Sequence, residues 1–278
     1  MNYFETLKQQ RIDEARVSYS SLKEFYKSPL DFMKYINRDF VTTDAMIIGS
    51  ATDCLLLEPE KFKDRFQVVD KIDRRTKAGK EQYNEILAAA NEKRLELLKI
   101  DDYSRICIMV DNIQQNKLAQ SLLMNTTEVQ KNIQFKMSSG IIVRGILDGY
   151  GEKDGKPFIW DLKTTNECRN GRHWVSSIFK WFYHLQAAIY CEGIKREKLV
   201  TPDFYHVVVE NTAPFKVFVF KFDSEFIKAG KVLFDELMEN FTYCKKHNLW
   251  NEGAEFYQPN IETLKLPDWF DTDIKRKN

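Results

Sequence analysis

The chain has 278 residues, 43% hydrophobic and 30% charged, with a formal net charge of +1. That length suits one large α/β domain or two modest ones, and the near-neutral charge excludes a surface that binds nucleic acid throughout; any DNA contact must come from a local patch. The absence of both an eighteen-residue apolar run and a signal peptide at MNYFETLKQQ predicts a soluble, cytoplasmic protein without a membrane partner, and five scattered cysteines (Cys54, Cys107, Cys168, Cys191, Cys244) with no C-x-x-C pair argue against a zinc ribbon.

Taken in order, VSYSSLKEFYKSPLDFMKYI predicts a helix opened by a capping box from Ser21 to Glu24 and stopped or kinked at Pro29, with Phe25, Tyr26, Phe32 and Tyr35 on its apolar side. DAMIIGSATDCLLLEPE predicts an apolar helix that places Gly49 and Asp53 on one face. An aspartate amid Ile47, Ile48, Leu55, Leu56 and Leu57 is expected near water, paired, or bound to metal. KIDRRTKAGK concentrates Lys71, Arg74, Arg75, Lys77 and Lys80 against one Asp73, and reads either as a DNA-binding patch or as a solvated helix entry.

Residues 76 to 125 show helical periodicity, with Ile86, Leu87, Leu95, Leu97, Leu98, Ile106, Met109, Val110 and Ile113 as core candidates. No linker bounds this stretch, so it reads as a helical elaboration rather than a separate domain. From Asn132 the period shortens, and Ser138-Ser139-Gly140 joins NIQFKM to the next strand in an antiparallel meander. Glu128, just upstream, is a further acidic candidate.

The chemistry concentrates in IIVRGILDGYGEKDGKPFIWDLKTT, from Ile141 to Thr165. Asp154-Gly155 suits a two-residue hairpin turn, and a turn centred there places Asp148 opposite Asp161; a bulge at Gly145, Gly149 or Gly151 would shift that register. Two carboxylates paired across a ladder repel unless a cation lies between them. Strand alternation puts Asp161 and Lys163 on one face and turns Leu162 into the core, with its carbonyl as a further oxygen donor. Phe158, Ile159 and Trp160 before the triplet argue for a buried strand rather than a wet edge. Such hard donors match Mg²⁺, held by one or two carboxylates with waters and substrate phosphate; Lys163 then orients a water and helps it lose a proton. Phosphodiester hydrolysis is the implied chemistry.

After the hairpin a polar loop leads into a helix that Gly193 ends, with Phe182, Leu185 and Ile189 as its buried stripe and Gln186 and Tyr190 sharing a face. That pair is either structural or placed to orient substrate or water near the strand ends. Arg172 near the start of this stretch is a further candidate phosphate contact. DFYHVVVE and FKVFVFKF predict two more strands around Asn211 to Pro214, Ser224 is the predicted N-cap of a long helix, and the aromatic tail with Tyr257, Pro259, Pro267, Trp269 and Phe270 is expected to dock on the body.

SYSSLKEFYKSP, GSATDCLLLEPE, RTKAGKEQY, RGILD, WDLKTT, YHLQAAIY with its Q-x-x-x-Y pattern, and LPDW occur in an order that resembles the PD-(D/E)XK nuclease superfamily. The resemblance is nearest to RecE-like (exodeoxyribonuclease VIII) exonucleases, and more distant to the RecB nuclease domain and lambda-type exonuclease. It implies an α/β restriction-endonuclease-like core, a mixed central sheet flanked by helices, with a helical N-terminal elaboration. One nuclease domain over 1–278 is implied: 1–127 mainly helical, 128–222 the sheet core with a crossover helix, and 223–278 the last helix and docked tail. Carried over by residue, Asp148 and Asp161 match the metal-binding acids, with the Leu162 carbonyl; Lys163 matches the catalytic lysine, Gln186 and Tyr190 the Q-x-x-x-Y pair, and Glu128 an acid before the meander. Relatives usually read G-T-A-L-H where this chain has Gly49-Ser-Ala-Thr-Asp53, so an aspartate stands in place of a metal-binding histidine. The resemblance further implies Mg²⁺ or Mn²⁺, 5′→3′ degradation of double-stranded DNA ends to leave 3′ single strands for recombination, a ring-shaped homo-oligomer and a single-strand annealing partner. The alternatives are a structure-specific or restriction-type endonuclease, and a DNA-end binder without catalysis.

Overall fold

The computed structural model describes residues 16–37 and 42–263. A short strand, β1 (Arg16–Ser18), leads into α1 (Tyr19–Phe25), α2 (Pro29–Asn37) and α3 (Asp44–Leu57). A small parallel pair, β2 (Phe66–Val69) and β3 (Glu96–Lys99), brackets α4 (Lys77–Lys93). Next come α5 (Ile100–Gln115), α6 (Lys117–Met124), β4 (Thr126–Lys136), β5 (Ile142–Lys153) and β6 (Lys156–Thr165). The chain continues through α7 (Gly171–Lys180), α8 (Tyr183–Lys198), β7 (Asp203–Glu210), β8 (Val217–Lys221) and α9 (Ser224–His247).

The centre is a six-stranded mixed sheet built on β5. Asp154 and Gly155 both take left-handed φ, 54° and 76°, the turn whose twist suits adjoining antiparallel strands. That turn sets the register, pairing Gly149 with Trp160 and Lys153 with Lys156. β4 runs antiparallel along one edge of β5 from Ile142 to Gly151. The other edge is shared: β1 pairs in parallel with Ile142 to Arg144, and β6 joins only from Gly149 onward. β5 therefore stands at a fork, and Asp148 lies where one neighbour has left and the other has not yet joined.

Beyond Trp160, β6 keeps only its parallel partner β7, which accompanies it from Phe158 to Thr165. The crossover between them is α7 and α8, as a parallel pair requires. Alternation along β6 divides the core: Phe158, Trp160 and Leu162 pack with Met109, Ile113 and Leu122 of α5 and α6, whereas Ile159 packs on the other side with α1, α2, α8 and α9. Asp161 and Lys163 share the Ile159 side by the same alternation. A third cluster, with Ala51, Cys54, Phe66, Leu98, Ile106 and Val110, fixes α3 and the small sheet to α5.

Several sequence expectations shift. The first capping box is Ser18 with Ser21, one turn earlier than Ser21 with Glu24, because β1 ends at Ser18 and the helix starts beside it. Pro29 opens α2 rather than ending a helix, and suits a first-turn position because its missing N–H has no intrahelical partner to lose. ELLK is a strand within the stretch read as helical, and Leu87 is exposed on α4. The strand read from Asn132 begins at Thr126. The helix after the hairpin is two helices, broken at Phe182 (φ 59°), and Gly193 lies inside α8, where a Cβ would come within 2.7 Å of Ile133 Cδ1. Asp223, not Ser224, caps α9. Tyr257 docks as expected, donating to the Phe25 carbonyl at 2.9 Å; Pro267, Trp269, Phe270 and the LPDW motif lie outside the described residues. Among the described residues all five cysteines are free, and no helix is long and apolar enough to cross a membrane.

Candidate active site at the strand fork

The fork gathers charge into a place where charge is costly. Asp148 reaches across the opening and accepts from the Leu162 N–H at 2.7 Å, standing in for the ladder bond that β5 no longer supplies. In a strand, a residue's N–H and C=O leave the backbone on the same side, so the Leu162 carbonyl also faces the opening. Asp161 is 2% exposed. Its Oδ1 accepts from Gln186 Nε2 at 2.9 Å, its Oδ2 contacts Lys163 Nζ, and Gln186 Nε2 also lies 3.1 Å from the Tyr190 hydroxyl. Gln186 thus reaches the β6 carboxylate, with Tyr190, one turn on along α8, bonded behind it. Gly145 makes room for this, since a Cβ there would lie 2.6 Å from the Tyr190 ring.

α3 closes the opening from the side. Gly49 passes beside Thr164 at the released end of β6, and Asp53, one turn on, faces the charges of Asp161 and Lys163. Burial first, then the Asp161 charge, pushes the Asp53 carboxyl up to about 7, against the pull of Lys163 and Arg65. Burial, followed by the charges of Asp161 and Asp53, lifts Asp148 well above the usual carboxylate range. Burial alone would lower Lys163, yet Asp161, Tyr183 and Asp148 outweigh it and raise the ammonium above the ordinary lysine value. With its proton held tightly, Lys163 donates to the Asp161 carboxylate.

A raised carboxyl binds its proton more tightly in the folded chain than in the unfolded one. It stabilises fully below the unfolded value of about 4, and that stability is lost as pH rises through about 7. With chelator present, the melting temperature should fall across this window, and Asp53→Asn should flatten the fall. Equal slopes in the two proteins would detach Asp53 from the cluster.

Glu128 stands apart. It lies on β4, across β5 from the fork; it is exposed and its carboxylate is 2.9 Å from Lys131. It does not reach the acids, which corrects its expected place among them. The basic segment is on the surface, and part of its charge is spent locally: Arg75 pairs with Asp73 at 2.9 Å, Lys71 with Asp101 at 2.8 Å, and Arg74 lies 4.2 Å from the Tyr83 ring centroid. Lys77, Lys80 and Arg172 are exposed.

Two neighbours escaped the sequence reading. Tyr183 lies under Lys163, with Nζ 4.6 Å from its ring centroid, and was detectable as the residue one helical turn before Gln186. Tyr19 on α1 is close enough for Lys163 and Asp161 to act on its phenol, although burial is the main cause of its raised pKa. Behind them His206 is fully buried, its Nδ1 accepting from Trp174 Nε1 at 3.1 Å, and burial followed by the Lys163 charge keeps it neutral.

The sequence matches, over residues 18–259, the family described as "PDDEXK-like domain of unknown function (DUF3799)". The chain belongs to this PDDEXK-like family. A crystal structure from Eubacterium rectale, described as a "Putative exonuclease", aligns over 98% of each chain with a TM-score of 0.63 at 14% identity, and shows the same fold. The structure of SSO0001 covers 84% of each chain with a TM-score of 0.32 at 11% identity, too low to bear on the comparison. A search among curated proteins finds no match. PDDEXK nucleases generally use divalent metal ions. Among the described residues no group of three or more His, Cys, Asp or Glu side chains is placed to hold a metal ion. The donors nevertheless are of the kind that suits a hard cation: Asp148, Asp161 and the Leu162 carbonyl are oxygens at one opening, with Asp53 beside them, and burial followed by the Asp161 charge raises both Asp53 and Asp148.

Proposed function

We propose that this PDDEXK-like chain is a divalent-metal-dependent deoxyribonuclease that works from double-stranded DNA ends in the 5′→3′ direction and leaves 3′ single strands. The observation that carries the reading is the fork, where Asp148, Asp161 and Lys163 converge although β5 and β6 have ceased to pair. Asp148, Asp161 and the Leu162 carbonyl would hold Mg²⁺ or Mn²⁺, and Asp53 would add an oxygen from α3. A divalent cation supplies Lewis-acid polarisation of the phosphodiester.

The remaining work belongs to the chain. Lys163 donates to anionic oxygen and stabilises charge developing on the phosphoryl group. Gln186 locks the Asp161 carboxylate in place, and its own Oε1 has no donor among the described residues, so it is free to accept from an entering water. Tyr190 braces Gln186. Arg74, Lys77, Lys80 and Arg172 supply phosphate contacts outside the site. The exonuclease reading is favoured over an endonuclease by the description of the Eubacterium rectale protein and by the resemblance to RecE-like enzymes; ring assembly and an annealing partner are proposed on that resemblance.

Incubation of purified protein with linear, nicked and covalently closed duplex DNA and Mg²⁺ tests the reading. Loss of linear DNA from 5′ ends with closed circles intact is expected. Cutting of closed circles would assign an endonuclease, and inert protein with Mg²⁺ and Mn²⁺ would remove the nuclease assignment.

A further inference from the structure

The junction between α7 and α8 holds large rings in water. Phe179 is 49% exposed and Trp181 47%, and Tyr26, 44% exposed, lies with its ring centroid 4.7 Å from that of Phe182. Large aromatic rings left out of the core mark a binding surface more often than chance. The backbone holds them there. Phe182 takes a left-handed φ of 59° without being glycine, a conformation that costs free energy and is kept where the surroundings enforce it. That break ends α7 and starts α8, so that Trp181 is presented to solvent while Tyr183, two residues on, lies under Lys163.

The platform is tied to the acids from the other side as well. The Tyr19 hydroxyl donates to the Trp181 carbonyl, and the same Tyr19 feels the charges of Lys163 and Asp161. Cations alternate with the rings: Lys180 Nζ is 5.0 Å from the Trp181 ring centroid, and Lys23 Nζ is 5.8 Å from that of Tyr19. Rings for bases interleaved with ammonium groups for phosphates are the arrangement that grips single-stranded nucleic acid without reading its sequence.

We propose that Trp181 is a stacking platform for unpaired bases of the DNA strand entering the fork. The proposal rests on the nuclease reading for its ligand class and extends it: the chain grips bases that have already left the duplex. Lys180 and Lys23 follow the backbone of that strand, and Tyr19 transmits the position of the platform to the Lys163 side of the site.

The test measures binding of a duplex with a short single-stranded tail, in an Asp161→Asn background that holds DNA without cutting it. A second duplex carries abasic nucleotides in the tail. Trp181→Ala should weaken binding of the ordinary tail by roughly five- to a hundredfold, Trp181→Phe should restore most of it, and on the abasic tail Trp181→Ala should bind like its parent. Unchanged binding in Trp181→Ala, or an equal loss on both tails, overturns the platform. The two readings fail separately. Wild-type protein that cuts DNA while Trp181→Ala binds normally removes the platform alone, whereas base-dependent stacking in a protein that never cuts DNA supports the platform and removes the nuclease.

Discussion

Replacing Asp161 by asparagine is expected to lower turnover on linear duplex DNA by about a thousandfold or more, with an unchanged circular dichroism spectrum. The size follows from removing one charged donor of a metal site, where several kcal/mol of transition-state stabilisation are at stake and each tenfold in rate corresponds to about 1.4 kcal/mol. Asparagine keeps an oxygen for Gln186 and relieves the repulsion that raises Asp148 and Asp53. Alanine is a poorer probe, because it strands the buried Lys163 ammonium; breaking such a pair costs about 3–5 kcal/mol and confuses loss of chemistry with loss of fold. Turnover by Asp161→Asn within about tenfold of wild type would place the chemistry elsewhere.

The second large effect is on stability. Asp53 and Asp148, both raised by burial and then by the Asp161 charge, form with Asp161 a site that a cation should stabilise by binding only the folded state. At a free concentration about a hundredfold above the dissociation constant, Mn²⁺ or Mg²⁺ should add about 2.7 kcal/mol, a rise of several degrees in melting temperature for a chain of this size. Asp148→Asn should remove most of that rise and, with chelator present, melt no lower than wild type, since it removes a like charge. Active sites commonly sacrifice stability in this way. No cation-dependent shift in the wild type would mean that the acids are balanced by Lys163 alone.

The hairpin was legible because Asp154-Gly155 admits one tight turn, and a tight turn fixes every pair behind it. The opening beyond Gly149 was not, since it depends on β1, a three-residue strand from the opposite end of the chain that occupies the first part of the same edge. Asp53 could be singled out as a charge in an apolar helix, but its position near Asp161 depends on how α3 packs against the end of β6. Glu128 was misjudged because proximity in sequence to the meander does not say on which edge of β5 its strand will lie. The break at Phe182 left no signal, since neither glycine nor proline marks it.

Manganese anomalous scattering from crystals of the wild-type protein tests the central claim most directly. The account predicts an ion bonded to both Asp148 and Asp161, with Lys163 displaced from Asp161 Oδ2. Manganese absent from the fork at saturating concentration, with Lys163 still seated on Asp161, would contradict it.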